Sequence, residues 1–152
     1  MDEIDRKILR LLQSDGSMPL HEIAKKVHLS KSPCWSRIRK MEIQGIITGR
    51  GAQIAPAKVG LRTMVFVALR ADRGNQHNEE WVKAFTNAIN ELPEIMEVYR
   101  LAGQIDYLVK VIVEDMEAYD KFYRRLVKKI ALFDVHSMVV MAPMKVTTKL
   151  PI

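Results

Sequence analysis

Cysteine is nearly absent from this chain. A single residue, Cys34, has nothing to pair with inside the molecule, which excludes an intrachain disulfide framework and a zinc site built on several cysteines. Long apolar runs are missing too. None approaches the roughly 20 residues that cross a bilayer, so no membrane partner is expected. The opening MDEIDRKIL is acidic and amphipathic, unlike a secretory leader, and a cytoplasmic location is expected. There is no internal repeat and no low-complexity tract. The catalytic signatures are also missing: no G-x-S-x-G, P-loop, H-E-x-x-H or Rossmann fingerprint. His21, His28, His77 and His136 lack ligand-like spacing, and surface or capping roles outweigh metal binding for them. The chain is not expected to be an enzyme or to hold a metal or cofactor.

What the chain does have is apolar content, 48% of 152 residues, enough to bury a core rather than remain disordered. It also has positive charge, unevenly placed. Residues 1–60 hold 11 Lys/Arg against 6 Asp/Glu, whereas residues 61–152 hold 13 against 12. Between Lys25 and Arg50 there are seven basic residues and one acid, Glu42. A basic part beside a near-neutral one suggests a polyanion-binding module joined to something else. A merely solvated basic face is the duller reading.

The first third reads as three helices. Ile4, Ile8, Leu11 and Leu12 form an amphipathic stripe, with Asp2 as N-cap and Asp5 as its third helical residue. Residues 14–17, SDGS, end it. A second, short helix follows Pro19, with Leu20, Ile23, Ala24 and Val27 on one side. His28 and Leu29 make a tight turn. Ser30 or Ser32 caps a third helix, Pro33 suits its first turn, and Gly45 stops it after about Gln44. A short helix, a brief turn and a basic third helix are the helix-turn-helix arrangement.

At about 100° per residue, Cys34, Ile38 and Met41 of the third helix share an inward face. Ser32, Ser36, Arg39 and Lys40 fall on the far side, with Arg37 at the flank. Short hydroxyl side chains let a helix approach a duplex closely, and the cations read guanine edges or clamp phosphates. The expected DNA contacts are Ser30, Lys31, Ser32, Ser36, Arg37, Arg39 and Lys40. Cys34 reads as a packed apolar filler rather than a reactive thiol, and Trp35 as core cover rather than a sugar-phosphate contact. Short extended runs around Gly49 and Gly51 fit a hairpin wing, with Arg50 at its tip against a phosphate or the minor groove. The expected domains are a winged helix-turn-helix at 1–50, a linker at 51–60 and a second domain at 61–152.

That second domain reads β-α-β-β-α-β. A strand at 62–71 is bounded by the run at 72–75. A helical stripe of Trp81, Val82, Phe85, Ala88, Ile89 and Leu92 is stopped by Pro93. Strands at 95–101 and 106–113 flank an Ala-Gly-Gln turn. A helix from Met116 to Ile130 points Met116, Tyr119, Phe122, Tyr123, Leu126 and Ile130 inward, and a last strand runs from Val135 to Met144. This is the ferredoxin-like split unit, an α+β fold with an antiparallel sheet and helices on one face. The apolar residues of its other face make self-association the natural cover. Asp106, after the turn, could bind an amine or cap the turn.

Five stretches together are similar to the leucine-responsive/asparagine-responsive (Lrp/AsnC, or feast/famine) family of regulators: IDRKILRLLQ at 4–13, LSKSPCWSRI at 29–38, EIQGIITG at 42–49, AGQIDYLVK at 102–110 and DMEAY at 115–119. The resemblance covers nearly the whole chain. It implies a winged DNA-binding domain and a βαββαβ domain for effector sensing and assembly, as dimers and as an octamer made of four dimers. It also implies an amino-acid effector held between dimers by Ala102, Gly103, Gln104, Ile105 and Asp106, with Tyr99 and Leu101 before them and Val135, His136, Ser137 and Met138 facing them. Three positions depart from the family's pattern. Gln104 stands where an acid usually follows the glycine, the stretch at 130–135 lacks a Pro-Gly, and no aromatic follows Gly49.

The expected function is a sequence-specific, double-stranded-DNA-binding transcription regulator of a pseudo-palindromic operator, modulated by an amino acid. The alternatives are an architectural protein that coats DNA without an effector and an amino-acid-binding regulatory subunit of an enzyme.

Overall fold

A computed structural model describes residues 1–71 and 78–152. The run at 72–75 and His77 lie outside the described residues. The chain divides into two compact units, one of Met1–Gln53 with Met144–Ile152, the other of Ile54–Pro143.

The first unit holds α1 (Glu3–Ser14), α2 (Leu20–Lys26) and α3 (Lys31–Ile43). Asp2 and Asp5 cap α1 reciprocally, each carboxylate accepting the other's backbone N–H at 2.9 Å, which satisfies two donors that the first turn leaves open. Asp15 ends α1, its carboxylate accepting from the Ser17 N–H at 2.9 Å and the Ser17 hydroxyl at 2.6 Å. His28 takes the sharp turn between α2 and α3 with a left-handed φ of 56°, while the Leu29 N–H donates to the Ala24 carbonyl at 2.9 Å. Gly45, at φ 69°, supplies the left-handed residue that follows α3. The core is Ile8, Leu9, Ile23, Ala24, Val27, Cys34, Ile38 and Met41, with the expected Ile4, Leu11, Leu12 and Leu20 only partly buried against it and Leu9 added to the α1 face.

Three expectations fail in this unit. No strand forms within 46–54, so the hairpin wing is absent. Instead the Ile46 and Ile47 amides both donate to the Met41 carbonyl, at 2.9 and 3.2 Å, and Ile47 packs on the helical core. Two glycines and so short a pairing leave an isolated hairpin too little to hold it. Trp35 is 57% exposed and does not cover the core, because its place on the wheel lies off the Cys34–Ile38–Met41 stripe. Residues 144–152, expected with the second domain, belong to the helical unit. Gln13 accepts the Leu150 N–H at 2.5 Å and donates to its carbonyl at 3.3 Å, Arg10 Nε donates to the Ile152 carbonyl at 2.6 Å, and Gln53 donates to the Thr148 hydroxyl at 3.0 Å.

The second unit opens with a 3-10 turn, Pro56–Val59, and then holds β1 (Thr63–Ala71), α4 (Glu79–Asn90), β2 (Ile95–Arg100), β3 (Tyr107–Val113), α5 (Met116–Lys129) and β4 (Leu132–Val139). The strand order is β2-β3-β1-β4, antiparallel throughout, as the βαββαβ reading requires. Alternation along the strands puts Val65, Val67 and Leu69 with Val109 and Val111 on one face. There they meet Phe85 of α4 and Phe122 and Leu126 of α5. Trp81 stacks on Phe85 with centroids 5.2 Å apart, and its Nε1 donates to the Ala131 carbonyl at 3.0 Å.

Two details differ from expectation. Met116 is 51% exposed, because it opens α5 beyond the reach of the sheet. β4 begins at Leu132 and ends at Val139, three residues before and five before the expected limits. Its early start is marked by a bulge opposite Arg70 and Ala71. The last residue pair is Val65 with Val139, and after one more bond, from the Val140 N–H to the Met64 carbonyl at 2.9 Å, the ladder ends.

Candidate nucleic-acid interface and effector face

The α3 surface is built by what its inner face buries. Cys34, Ile38 and Met41 fix the roll of the helix, and burial pushes the Cys34 thiol above its ordinary pKa, which keeps it protonated and unreactive. Ser30 sits at the N-cap without a side-chain capping bond, so its hydroxyl is not consumed by the helix. Ser30, Lys31, Ser32, Ser36, Arg39, Lys40 and Arg50 are all exposed, and Arg37 is half-buried.

The arginines are not equivalent. Arg37 Nη1 lies 2.6 Å from Asp2 Oδ2 and 2.8 Å from Asp5 Oδ1, which clasps α3 to the N-terminus of α1. The two carboxylates raise the Arg37 pKa. The Asp5 backbone N–H, and after it the Arg37 guanidinium, holds Asp2 below its ordinary value. Arg37 therefore faces α1 in this fold, not the outward stripe. Arg39 Nη1 and Arg50 Nη2 both reach Glu42, at 3.4 and 3.1 Å. Among the described residues Lys31 and Lys40 form no ion pair.

In the sheet unit the β2–β3 turn holds Leu101, Ala102, Gly103 and Gln104 exposed, with Ile105 and Asp106 half-buried. Gly103 has φ 151°, a value that favours glycine. The Leu101 N–H donates to the Asp106 carbonyl at 2.8 Å and the Asp106 N–H to the Leu69 carbonyl at 3.0 Å. The Asp106 carboxylate accepts the Ala71 N–H at 2.9 Å. Of the two roles open to Asp106, the fold shows it fastening the turn to the end of β1.

Val135 pairs with Leu69 on the opposite side of β1, so the turn and the start of β4 lie at one end of the sheet with β1 between them. Alternation divides residues 135–138. Val135 and Ser137 share the helix side, where the Ser137 and Tyr119 hydroxyls meet at 2.5 Å. His136 and Met138 pair with Ala68 and Phe66 on the helix-free side. Tyr99 lies on that side too, its hydroxyl donating to Glu97 at 2.7 Å. Glu97 is held below its ordinary pKa, first by Lys110 and then by that hydroxyl. The candidate effector residues thus share one end of the sheet but do not close into a single pocket within one chain.

Residues 1–42 match the AsnC-type helix-turn-helix domain and residues 64–150 the Lrp/AsnC ligand binding domain. This chain belongs to the Lrp/AsnC family. It is 42% identical to the DNA-binding transcriptional activator DecR of Escherichia coli K12, over 100% of this chain and 99% of that protein. It is 47% identical to a solved AsnC family transcriptional regulator from Agrobacterium tumefaciens, with TM-score 0.92 over 99% of this chain and 97% of that one. A transcriptional regulator of Neisseria meningitidis solved as an L-Met complex is 30% identical, with TM-score 0.91 over 99% and 96%. The chain is accordingly a DNA-binding transcription regulator with an amino-terminal helix-turn-helix.

Two features of this Lrp/AsnC chain escape a reading of spacing alone. Glu42 is the shared acid of two arginines. Its position as the one acid between Lys25 and Arg50 was the available signal. The other is an open hollow of about 420 Å³ beside the start of β4, lined in part by Tyr123, Phe133, Asp134 and Val135. Phe133 is 62% exposed there, with the Arg70 guanidinium 5.3 Å from its ring centre. No sequence pattern signals the bulge that presents it.

Proposed function

We propose that two copies of this chain read a pseudo-palindromic operator, each laying α3 in one of two successive major grooves. One observation carries this reading. Ser32, Ser36, Arg39 and Lys40 stand exposed along the outward side of a helix whose opposite side is buried at Cys34, Ile38 and Met41. Ser32 and Ser36 permit close approach to base edges, Lys40 engages phosphate, and Ser30 and Lys31 meet phosphate at the positive N-terminal end of α3. Arg37 positions α3 rather than reading bases.

Dimerisation is supported by the helix-free side of the sheet, where Met64, Phe66 and Leu108 stand half-buried and bring apolar surface together, and four such dimers make the octamer. The effector is an amino acid, as in the L-Met complex of the Neisseria relative. It is held by the turn at 101–106 and by β4 of a neighbouring dimer, with Gln104 offering an amide in place of a carboxylate. The protein works in the cytoplasm as a regulator, not a catalyst; among the described residues no helix is long and apolar enough to cross a membrane.

Selection from a random-sequence library followed by gel shifts tests the DNA reading. Ser36→Ala should relax preference at one base position, by about 0.5–1.5 kcal/mol for a lost neutral hydrogen bond. Lys40→Ala should weaken all sequences alike and flatten the salt slope by about 1 per protomer. An unselective wild-type protein contradicts the proposal. A thermal-shift screen of the amino acids, on protein sized by light scattering, tests the effector and the assembly.

A further inference from the structure

The Glu42 carboxylate stands between two guanidinium groups of the α3 region. Its Oε2 faces Arg39 Nη1 at 3.4 Å and its Oε1 faces Arg50 Nη2 at 3.1 Å. Each oxygen serves one arginine, as the two free oxygens of a phosphodiester would. Arg39 projects from α3. Arg50 comes from the strand-free segment after it, so Glu42 also decides where that segment's charge is held. Both arginines are well exposed, at 57% and 40% of their side-chain surface, and Glu42 is 31% exposed. Ion pairs this open to water are weak and exchange readily. The Arg37 clasp differs, with two carboxylates on one guanidinium and only 15% of the Asp5 side chain exposed.

We propose that Glu42 is a selectivity residue: it acts as an internal phosphate mimic that withholds Arg39 and Arg50 from sequence-independent contact with DNA. This rests on the reading of α3 as the recognition helix. Loose, non-specific complexes draw their affinity almost wholly from the number of cations available to phosphate. Glu42 removes two from that number in the free protein and adds a negative charge to the approaching surface. A fully seated complex gains contacts from Ser32, Ser36 and Lys40 that do not involve Glu42. Neutralising Glu42 therefore strengthens the loose mode more than the seated one, and discrimination falls.

The test compares full-length wild type, Glu42→Gln and Glu22→Gln on a random-sequence duplex long enough for two successive major grooves, and on a duplex from library selection. Glu22 is an exposed acid of α2, so its variant makes the same change in net charge. Glu42→Gln is expected to bind the random duplex roughly three- to tenfold tighter, as the release of two exposed pairs predicts. Its salt slope should steepen by about 1–2, and its preference for the selected duplex should shrink. Adding Arg39→Ala and Arg50→Ala should abolish the gain. If Glu42→Gln matches Glu22→Gln, or loses thermal stability without gaining random-duplex affinity, Glu42 is only a structural pair and the proposal is overturned. A wild-type protein that ignores the selected duplex defeats the regulator reading instead, and the random-duplex comparison still judges Glu42.

Discussion

His28 is where the helix-turn-helix meets a backbone constraint. Its φ of 56° places a residue with a Cβ in the left-handed region, at a cost of roughly 1–2 kcal/mol. Glycine removes that strain, although its freer unfolded state returns part of the gain. His28→Gly should therefore stabilise the helical unit by up to about 1 kcal/mol and raise its melting temperature. His28→Val should lower it, since a branched Cβ fits this region worst; calorimetric melts of the two variants check both signs. Residue-level roles were legible where burial decides them. Cys34, Ile38 and Met41 follow from a wheel, because a helix of known phase has one inner face. Trp35 was not, since a large ring at the edge of a stripe can turn either way, and it stands 57% exposed. Arg37 was not legible either. Its partners Asp2 and Asp5 lie more than thirty residues away, and nothing local announces the pairing.

Elements with a strong period were readable to within a residue or two, as α1, α4 and α5 show. Elements that depend on a distant partner were not. β4 takes its limits from β1 through a bulge at Arg70 and Ala71, and the stretch at 46–54 has no partner within the described residues to make it a ladder. The same split governs the effector face. The turn at 101–106 was placed by its own residues, but Asp106 owes its role to the Ala71 amide on another strand. At this scale the clasp between α1 and α3 predicts acid lability. A carboxyl whose folded pKa is depressed stabilises fully above its unfolded value, and that contribution fades as pH falls through the folded one. Asp2 is such a group. Urea melts of the wild type should show a stable plateau near neutrality and a decline below about pH 4, which Asp2→Asn should flatten while lowering the plateau. An unchanged pH profile in that variant would remove the clasp from the account.

At the scale of the whole molecule, the division at 53/54 and 143/144 was hidden from a left-to-right reading, because residues 144–152 carry no helical or strand period. Their seat is made of single polar side chains, Gln13 and Arg10, reaching backbone groups. Removing residues 146–152 should lower the stability of the helical unit and leave the sheet unit untouched. Hydrogen exchange resolved by segment should show faster opening in α1 and no change in β1 or β3. The location of that seat bears on how the protein is made. Synthesis runs from the amino end and domains fold as they emerge, so the last contacts of the helical unit wait until the sheet unit has been made. The helices of that unit are made well before the segment that seats on them, and a nascent chain carries α3 through the whole synthesis of the sheet unit before residues 144–152 exist.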